Sequence, residues 1–313
     1  MKAPLVVLGA TGGVGRGVVQ AALDGGRPVI AVARQASELK VLKASFPHAD
    51  LTTIAGSVSN DPAGAKLARA LRKLGRPLAG VVAAVCGSAE RGRLLDNPAE
   101  FLRRKLDEDL LPHLAAARHL LPLLAEHDRG GTYVLIGGPG SEHPWAGYGH
   151  RSIGAAALRM LARVLHDEAR QLAVRVQLLA VDTPVCTEFN QRNACPEWPS
   201  ALSVGQRALA LIDHDADSEP PHAVVPYASR VAPPPQLPPR AARVPSASAS
   251  RLPAGAPAYP TTARPTPKSA STDACSQDPD STADETAQRC LQDARALLKS
   301  LTSKNPKQEP TPR

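Results

Sequence analysis

Aromatic side chains are scarce in this sequence. Phe, Trp and Tyr make up only 3% of its 313 residues, whereas 43% of the residues are hydrophobic. The core must therefore be built from Val, Leu and Ala, a composition typical of parallel α/β sheets covered by Ala-rich helices. Nucleic-acid binding is disfavoured, because the net charge of +8 is spread along the chain without a basic patch and interleaved aromatics.

Long apolar runs and paired cysteines are also lacking. No run approaches the roughly 18 residues that span a bilayer, and an apolar run already begins at Leu5, so we expect no secretory signal. The five cysteines are odd in number and include no Cys-x-x-Cys pair, which disfavours a disulfide framework and a zinc site. We therefore expect reduced thiols, no metal, no membrane contact and a cytoplasmic location.

The stretch from Leu5 to Gly15 has the features of a dinucleotide-binding fingerprint. Four apolar residues run into a glycine cluster, after which apolar residues recur at helical spacing. Such a fingerprint requires this strand–turn–helix context, with the phosphates on the free N–H groups of the helix N-terminus. Gly9 would let the chain turn, Gly12 would let the backbone approach a pyrophosphate, and Gly15 would let the helix pack against the sheet. The alternative is a glycine-rich turn that binds no ligand.

Short apolar runs alternate with amphipathic stretches through about residue 228. The predicted strands are Leu5–Leu8, Val29–Ala33, Leu51–Gly56, Gly80–Val85, Thr132–Gly137, Val174–Ala180 and a short edge strand at Val224–Tyr227. After the helix that follows the first strand, we predict helices over Ala63–Leu74, Glu100–His127, Ser152–Leu172 and Ser203–His214. Such alternation means parallel strands joined by right-handed crossovers. The predicted fold class is therefore α/β, a doubly wound parallel sheet (Rossmann fold) in a single domain.

The composition changes sharply near residue 229. Residues 229–281 are rich in Pro, Ala and Ser, so we predict a disordered linker after the domain of residues 1–228. Residues 282–302 carry apolar residues on one helical face and predict an amphipathic helix, whose alternative is a marginal helix without a partner. Residues 303–313 are predicted to be a disordered end. The sequence leaves open association with a second copy and gives no support for a partner of the tail.

The glycine turn, followed by a strand that ends in Arg34, resembles the short-chain dehydrogenase/reductase family. The order of elements supports this resemblance through about Tyr227, and the GxxGxxG spacing is similar to the extended and atypical branches. The resemblance implies an oxidoreductase that acts on a small carbonyl or alcohol substrate. It places the first cofactor-binding residues in the turn: Gly9, Thr11, Gly12, Gly13, Val14 and Gly15.

Arg34 is the residue that bears on the choice of cofactor. An acidic side chain at the end of the second strand would bind the ribose hydroxyl of NAD, whereas a basic one pairs with the 2′-phosphate of NADP. The sequence reads Ala33-Arg34-Gln35, without a carboxylate, and so favours NADP over NAD. The resemblance places further cofactor-binding residues at the end of the fourth strand and after the third and sixth strands: Ser57, Val58, Ala83, Ala84 and Thr187.

The catalytic motif of the family, Tyr-x-x-x-Lys, has no intact counterpart. Aligning on the helix that follows puts Arg151 and Ala155 at the Tyr and Lys positions, whereas anchoring on Tyr148 puts Ser152 at the Lys position. An unassisted phenol is only about 0.1% ionised at pH 7. Tyr148 is the candidate catalytic residue, with Arg151 or His150 as electrostatic substitutes for the missing lysine. The alternative is that Tyr148 is a loop aromatic without a catalytic role.

Two other catalytic positions of the family also differ. Asp109 stands near the position of the family's relay Asn, and Gly137-Gly138 replaces its Ser, with Ser141 the nearest hydroxyl. Two hypotheses follow. The chain is an NADP-dependent oxidoreductase with an altered catalytic set, or it is a catalytically silent NADP(H)-binding sensor or scaffold.

Overall fold

Seven parallel strands form the centre of the molecule. The structure, a computed structural model, describes residues 2–88, 90–126, 131–213 and 222–227. The strands are β1 (Leu5–Leu8), β2 (Val29–Ala33), β3 (Leu51–Ala55), β4 (Gly80–Ala83), β5 (Thr132–Ile136), β6 (Arg175–Ala180) and β7 (Val224–Pro226). They lie in the order β3-β2-β1-β4-β5-β6-β7, and every neighbouring pair is parallel. The order reverses between β1 and β4, which is where open α/β sheets bind ligands beyond the carboxyl ends of their strands.

Helices cover both faces of this sheet. They are α1 (Gly13–Asp24), α2 (Ala36–Ala44), α3 (Asp61–Arg72), α4 (Ala99–Asp109), α5 (Leu111–Ala125), α6 (Gly149–Ala169) and α7 (Ala201–Ile212). Alternate residues of β1 point to opposite faces. Val6 and Leu8 join a core with α3, α5 and α6, whereas Leu5 and Val7 join a second core with α1, α2 and α7. The predicted doubly wound α/β fold is therefore confirmed.

The prediction of one helix over Glu100–His127 was wrong, because the chain forms α4 and α5 with a break at Leu110. Pro112 lies in the first turn of α5. Proline has no N–H for an intrahelical bond and its ring disfavours continuation of a preceding helix, but both properties are tolerated in a first turn. Helix α2 was not predicted. It is short, and only Leu39 and Leu42 of its nine residues are buried.

One face of α6 is apolar and exposed. Leu158 and Leu165 are buried against the sheet, but Ile153, Met160 and Val164 are each at least 40% exposed. These three lie seven and four residues apart, so they share a face of the helix. Association with a second copy, which the sequence leaves open, stays a prediction.

The predictions for the C-terminal part of the chain concern residues that the structure does not describe. The predicted linker at 229–281, the helix at 282–302 and the end at 303–313 lie outside the described residues. Within the described ranges, no helix is both long enough and apolar enough to cross a membrane. Cys86, Cys186 and Cys195 are free thiols, and the other two cysteines lie outside those ranges.

Candidate cofactor cleft

The chain leaves β1 through a turn that only glycine fits. Gly9 has a φ of +73°, and a Cβ added there would lie 2.3 Å from the carbonyl oxygen of Ala84 at the end of β4. A Cβ on Gly15 would lie 2.0 Å from the carbonyl oxygen of Gly9. Gly15 therefore packs against the turn itself. Gly17 and Gly205 are the glycines that allow α1 to pack closely against α7.

The N-terminus of α1 presents unpaired backbone donors beside this turn. Gly12 is the N-cap and provides no side-chain acceptor. The N–H groups of Gly13, Val14 and Gly15 have no acceptor among the described residues. Three free N–H groups at the positive end of a helix, reached through a side-chain-free turn, fit the phosphates of a dinucleotide.

A cleft of about 460 Å³ opens beside these donors, on the β4–β6 side of β1. Five of the predicted cofactor-binding residues line it: Gly12, Gly13, Val14, Ala84 and Thr187. Most other lining residues are apolar, among them Ile136, Trp145, Leu158 and Val185. The polar side chains that the sequence did not assign to the cofactor include Asp109, His113, Arg151, Thr183 and Asn190.

The remaining predicted residues lie outside this lining: Gly9, Thr11, Gly15, Arg34, Ser57, Val58, Ala83 and Tyr148. Val58 and Ala83 are buried in the apolar core. The Ser57 hydroxyl accepts a hydrogen bond from the Ser59 N–H at 3.1 Å. Arg34 is exposed and forms no ion pair within the described ranges. The cofactor contacts of these residues stay predictions.

Arg151, which one of the two alignments places at the tyrosine position of the family, lines the cleft. Arg151 and Ala155 line the cleft one helical turn apart, whereas Ser152 is buried and accepts a hydrogen bond from the Trp145 N–H at 2.8 Å. Of the two alignments that the sequence allowed, the structure therefore brings the Arg151 and Ala155 pair to the cleft. The predicted catalytic residue Tyr148 caps α6 and stacks on Trp145, with 4.4 Å between the ring centroids.

Arg151 and Asp109 both bind the backbone of Gly87, in the segment after β4. The Arg151 Nη2 donates to the Gly87 carbonyl at 2.8 Å, and the Asp109 Oδ1 accepts from the Gly87 N–H at 2.6 Å. The Nε of Arg151 is buried without a hydrogen-bond partner among the described residues. The cleft therefore contains a guanidinium whose position is fixed and whose donors are not all used.

His113 is a neutral polar group in the wall of the cleft. It is buried, and its Nε2 lies 3.0 Å from the Val85 carbonyl, which fixes the proton on Nε2. Burial lowers the pKa of His113 to about 4, although the Val85 carbonyl and Asp109 oppose this. Its Nδ1 is a free acceptor with no partner in the described ranges.

Replacing His113 with Gln should flatten the acid side of the stability profile. An unfolded histidine binds its proton near pH 6.5, whereas the folded protein binds it at about 4. The unfolded state thus holds more protons between these values, so the free energy of unfolding falls as the pH falls through this window, by on the order of 3 kcal/mol. Urea denaturation at pH 7 and near pH 4.5 measures it. His143→Gln is the control, because His143 is exposed. Its free energy of unfolding should fall between the two pH values as that of the wild type does. An equal fall in His113→Gln would show that His113 is not the source of the pH dependence.

A buried lysine fixes the loop that follows β4. Lys105 is 1% exposed, and its Nζ contacts Glu90 at 2.7 Å, Glu108 at 3.0 Å and Ser88 at 3.2 Å. Burial opposes the charged form, but hydrogen bonds to Glu90 and Glu108 outweigh it and raise the pKa of Lys105. The loop is therefore held against α4, beside the Gly87 peptide that forms part of the cleft.

The segment after β6 lies directly on the glycine turn. A Cβ on Gly13 would come within 2.6 Å of the Thr187 Cγ2, so glycine allows this approach. Asn190 accepts from the Thr187 N–H at 2.7 Å. Arg16 of α1 donates to the Thr11 carbonyl at 3.0 Å and pairs with Glu188 at 2.9 Å. The contacts between this segment and α1 close the cleft on this side, and no local sequence pattern predicts them.

The described part of the chain contains no group of three or more His, Cys, Asp or Glu side chains that could hold a metal ion. A switch-point crevice, a glycine turn and an uncapped helix N-terminus instead define a dinucleotide-binding protein of the Rossmann class.

Comparison with known proteins gives the family. The sequence model described as short chain dehydrogenase matches residues 4–194. The chain belongs to this family. No protein of curated function matches the chain.

Solved structures share the fold at low sequence identity. A short-chain type dehydrogenase/reductase from Mycobacterium ulcerans is 19% identical over 72% of this chain and 87% of its own, with a TM-score of 0.62. A short chain dehydrogenase from Burkholderia cenocepacia in complex with NADP is 19% identical over 73% and 89%, with a TM-score of 0.60. A 3-oxoacyl-(acyl-carrier protein) reductase with bound NAD from Brucella melitensis is 18% identical over 72% and 88%, with a TM-score of 0.61.

Proposed function

We propose that this protein is an NADP(H)-dependent oxidoreductase that acts on a small carbonyl or alcohol substrate with an altered catalytic set. The observation that carries the proposal is the meeting of two features in one cleft. The free N–H groups of α1 lie at one end of the cleft, and the guanidinium of Arg151 lies in its wall. The N–H groups would bind phosphate, and the guanidinium would stabilise negative charge on a substrate oxygen.

The preference for NADP(H) rests on Arg34. Its side chain is exposed at the end of β2 and has no ion-pair partner among the described residues, so its charge is available to a 2′-phosphate. The related structures do not decide the preference, because one contains NADP and another contains NAD.

The chemistry divides between Arg151 and Tyr148. Bound NADP(H) supplies or accepts a hydride. The guanidinium of Arg151 in the cleft wall places a positive charge beside the substrate oxygen, whose negative charge grows as the carbonyl is reduced. Because a guanidinium keeps its proton at any accessible pH, the proton comes from another donor. Tyr148 is the candidate, because its ring stacks on Trp145, which lines the cleft, with 4.4 Å between the ring centroids.

The dimensions of the cleft favour a small substrate. Its volume of about 460 Å³ has to hold the nicotinamide half of the cofactor as well as the substrate. Its walls are largely apolar, and their charged or ionisable side chains include Asp109, His113 and Arg151. A compact ketone, aldehyde or secondary alcohol fits these limits.

Two measurements test the proposal against the silent sensor or scaffold. NADPH and NADH are titrated by fluorescence, and cofactor oxidation is then followed with a panel of ketones, aldehydes and quinones. We expect saturable binding with NADPH preferred, and turnover that falls in Tyr148→Phe because the proton donor is lost. Binding without turnover, unchanged in Tyr148→Phe, would support the sensor. Failure to bind either nucleotide would contradict both functions.

A further inference from the structure

A carboxylate that the sequence did not assign to the site lies on the glycine turn. Glu38 belongs to the first turn of α2 and is half-buried. The Thr11 hydroxyl donates a hydrogen bond to its Oε2 at 2.8 Å. This contact joins the turn after β1 to the helix after β2. The segment that follows β2 therefore contains an acidic residue, Glu38, as well as the basic Arg34.

The sheet order gives the location of this contact relative to a bound dinucleotide. The cleft lies on the β4–β6 side of β1, and the phosphates sit at the N-terminus of α1. The adenosine half then extends toward the other neighbours of β1, which are β2 and β3. Thr11, Glu38 and Arg34 all lie on that side, beyond the carboxyl ends of β1 and β2.

The hydrogen bond has consequences for the two cofactors. A threonine hydroxyl has a single proton, and Thr11 gives it to Glu38. The 2′-phosphate of NADP(H) only accepts hydrogen bonds near neutral pH and would meet a hydroxyl whose proton is engaged and a carboxylate of like charge. The ribose 2′-hydroxyl of NAD(H) is instead a donor, which a carboxylate accepts.

We propose that Glu38 is a specificity-determining residue that opposes Arg34 in the choice between NADP(H) and NAD(H). This inference rests on the proposed function, because it concerns the same cofactor site. Arg34 attracts the 2′-phosphate, and Glu38 repels it while holding the Thr11 hydroxyl away from it. The preference for NADP(H) is therefore smaller than Arg34 alone would give, and the protein accepts both cofactors.

The experiment measures dissociation constants for NADPH and NADH by fluorescence titration of the full chain. In Glu38→Gln, removal of the charge is expected to tighten NADPH about tenfold, as a change of 1.4 kcal/mol would. NADH should bind with equal or lower affinity, so the NADPH preference rises about tenfold. In Arg34→Gln, the preference should fall by a similar factor.

Glu100→Gln is the matched control, because Glu100 also lies in the first turn of a helix, α4, and is exposed. It should leave both constants within about twofold of the wild type. Binding of both nucleotides with an unchanged ratio in Glu38→Gln would overturn this inference and leave the proposed function standing. Failure of the wild type and Glu38→Gln to bind either nucleotide would overturn the proposed function as well.

Discussion

Replacing Arg151 with Met is expected to lower kcat/KM by roughly 10²–10³-fold while NADPH still binds. Arg151 is the guanidinium in the cleft wall, and its Nε has no other partner in the described ranges. Removal of one donor to a developing oxyanion typically costs that factor. The loss should appear mainly in kcat, because charge on the substrate oxygen develops in the transition state. Steady-state kinetics with any carbonyl compound that the wild type reduces measures it.

Arg163→Met is the matched control, since Arg163 is an exposed arginine of the same helix. It should keep wild-type kinetics. Arg151→Lys should recover part of the rate, because it restores a charge without the planar fork of donors. An Arg151→Met protein that binds NADPH and retains full kcat would show that the reaction does not depend on this guanidinium.

Replacing Gly15 with Ala is expected to disrupt the phosphate site. The added Cβ would lie 2.0 Å from the Gly9 carbonyl oxygen, and this neighbour is backbone that cannot rotate away. The turn has to open, which displaces the free N–H groups of α1. Loss of one charge-assisted hydrogen bond costs about 1.5–3 kcal/mol, so NADPH should bind about ten- to a hundredfold more weakly. Overpacking should also lower the free energy of unfolding by about 1–3 kcal/mol.

Gly25→Ala provides the comparison at the other end of α1. Gly25 has a φ of −78°, and the nearest atoms to an added Cβ lie 3.4 and 3.5 Å away. This substitution should leave NADPH binding unchanged and stability within about 0.5 kcal/mol. Fluorescence titration and urea denaturation of both variants make the test. Wild-type affinity in a folded Gly15→Ala protein would be incompatible with phosphate binding at this turn.

The fold could be predicted because its signals are local. Strands buried on both faces are continuous apolar runs, and Val29–Ala33 is predicted with the bounds that the structure has. The break at Leu110 was missed because the apolar pattern continues through it, and Pro112 alone marks the start of α5. Helix α2 was missed because so few of its residues are buried.

The site could be predicted only where it depends on neighbouring residues. The glycine turn is one short stretch, so its spacing is visible in the sequence. The sequence allowed either Arg151 or Tyr148 at the tyrosine position of the family. Only the folded structure shows that Arg151 lines the cleft and that Tyr148 lies outside this lining. The contacts of Glu38 with Thr11 and of Arg16 with Glu188 join separate elements, so no local pattern reports them.

Transfer of deuterium tests the central claim most directly. NADPH that carries deuterium at the transferable position of the nicotinamide is incubated with the wild-type protein and a carbonyl substrate, and the alcohol is examined by mass spectrometry. We expect deuterium on the former carbonyl carbon, in proportion to the cofactor consumed, with strongly reduced transfer in Arg151→Met. Stable binding of NADPH with no label in any product of the ketone, aldehyde and quinone panel would contradict it.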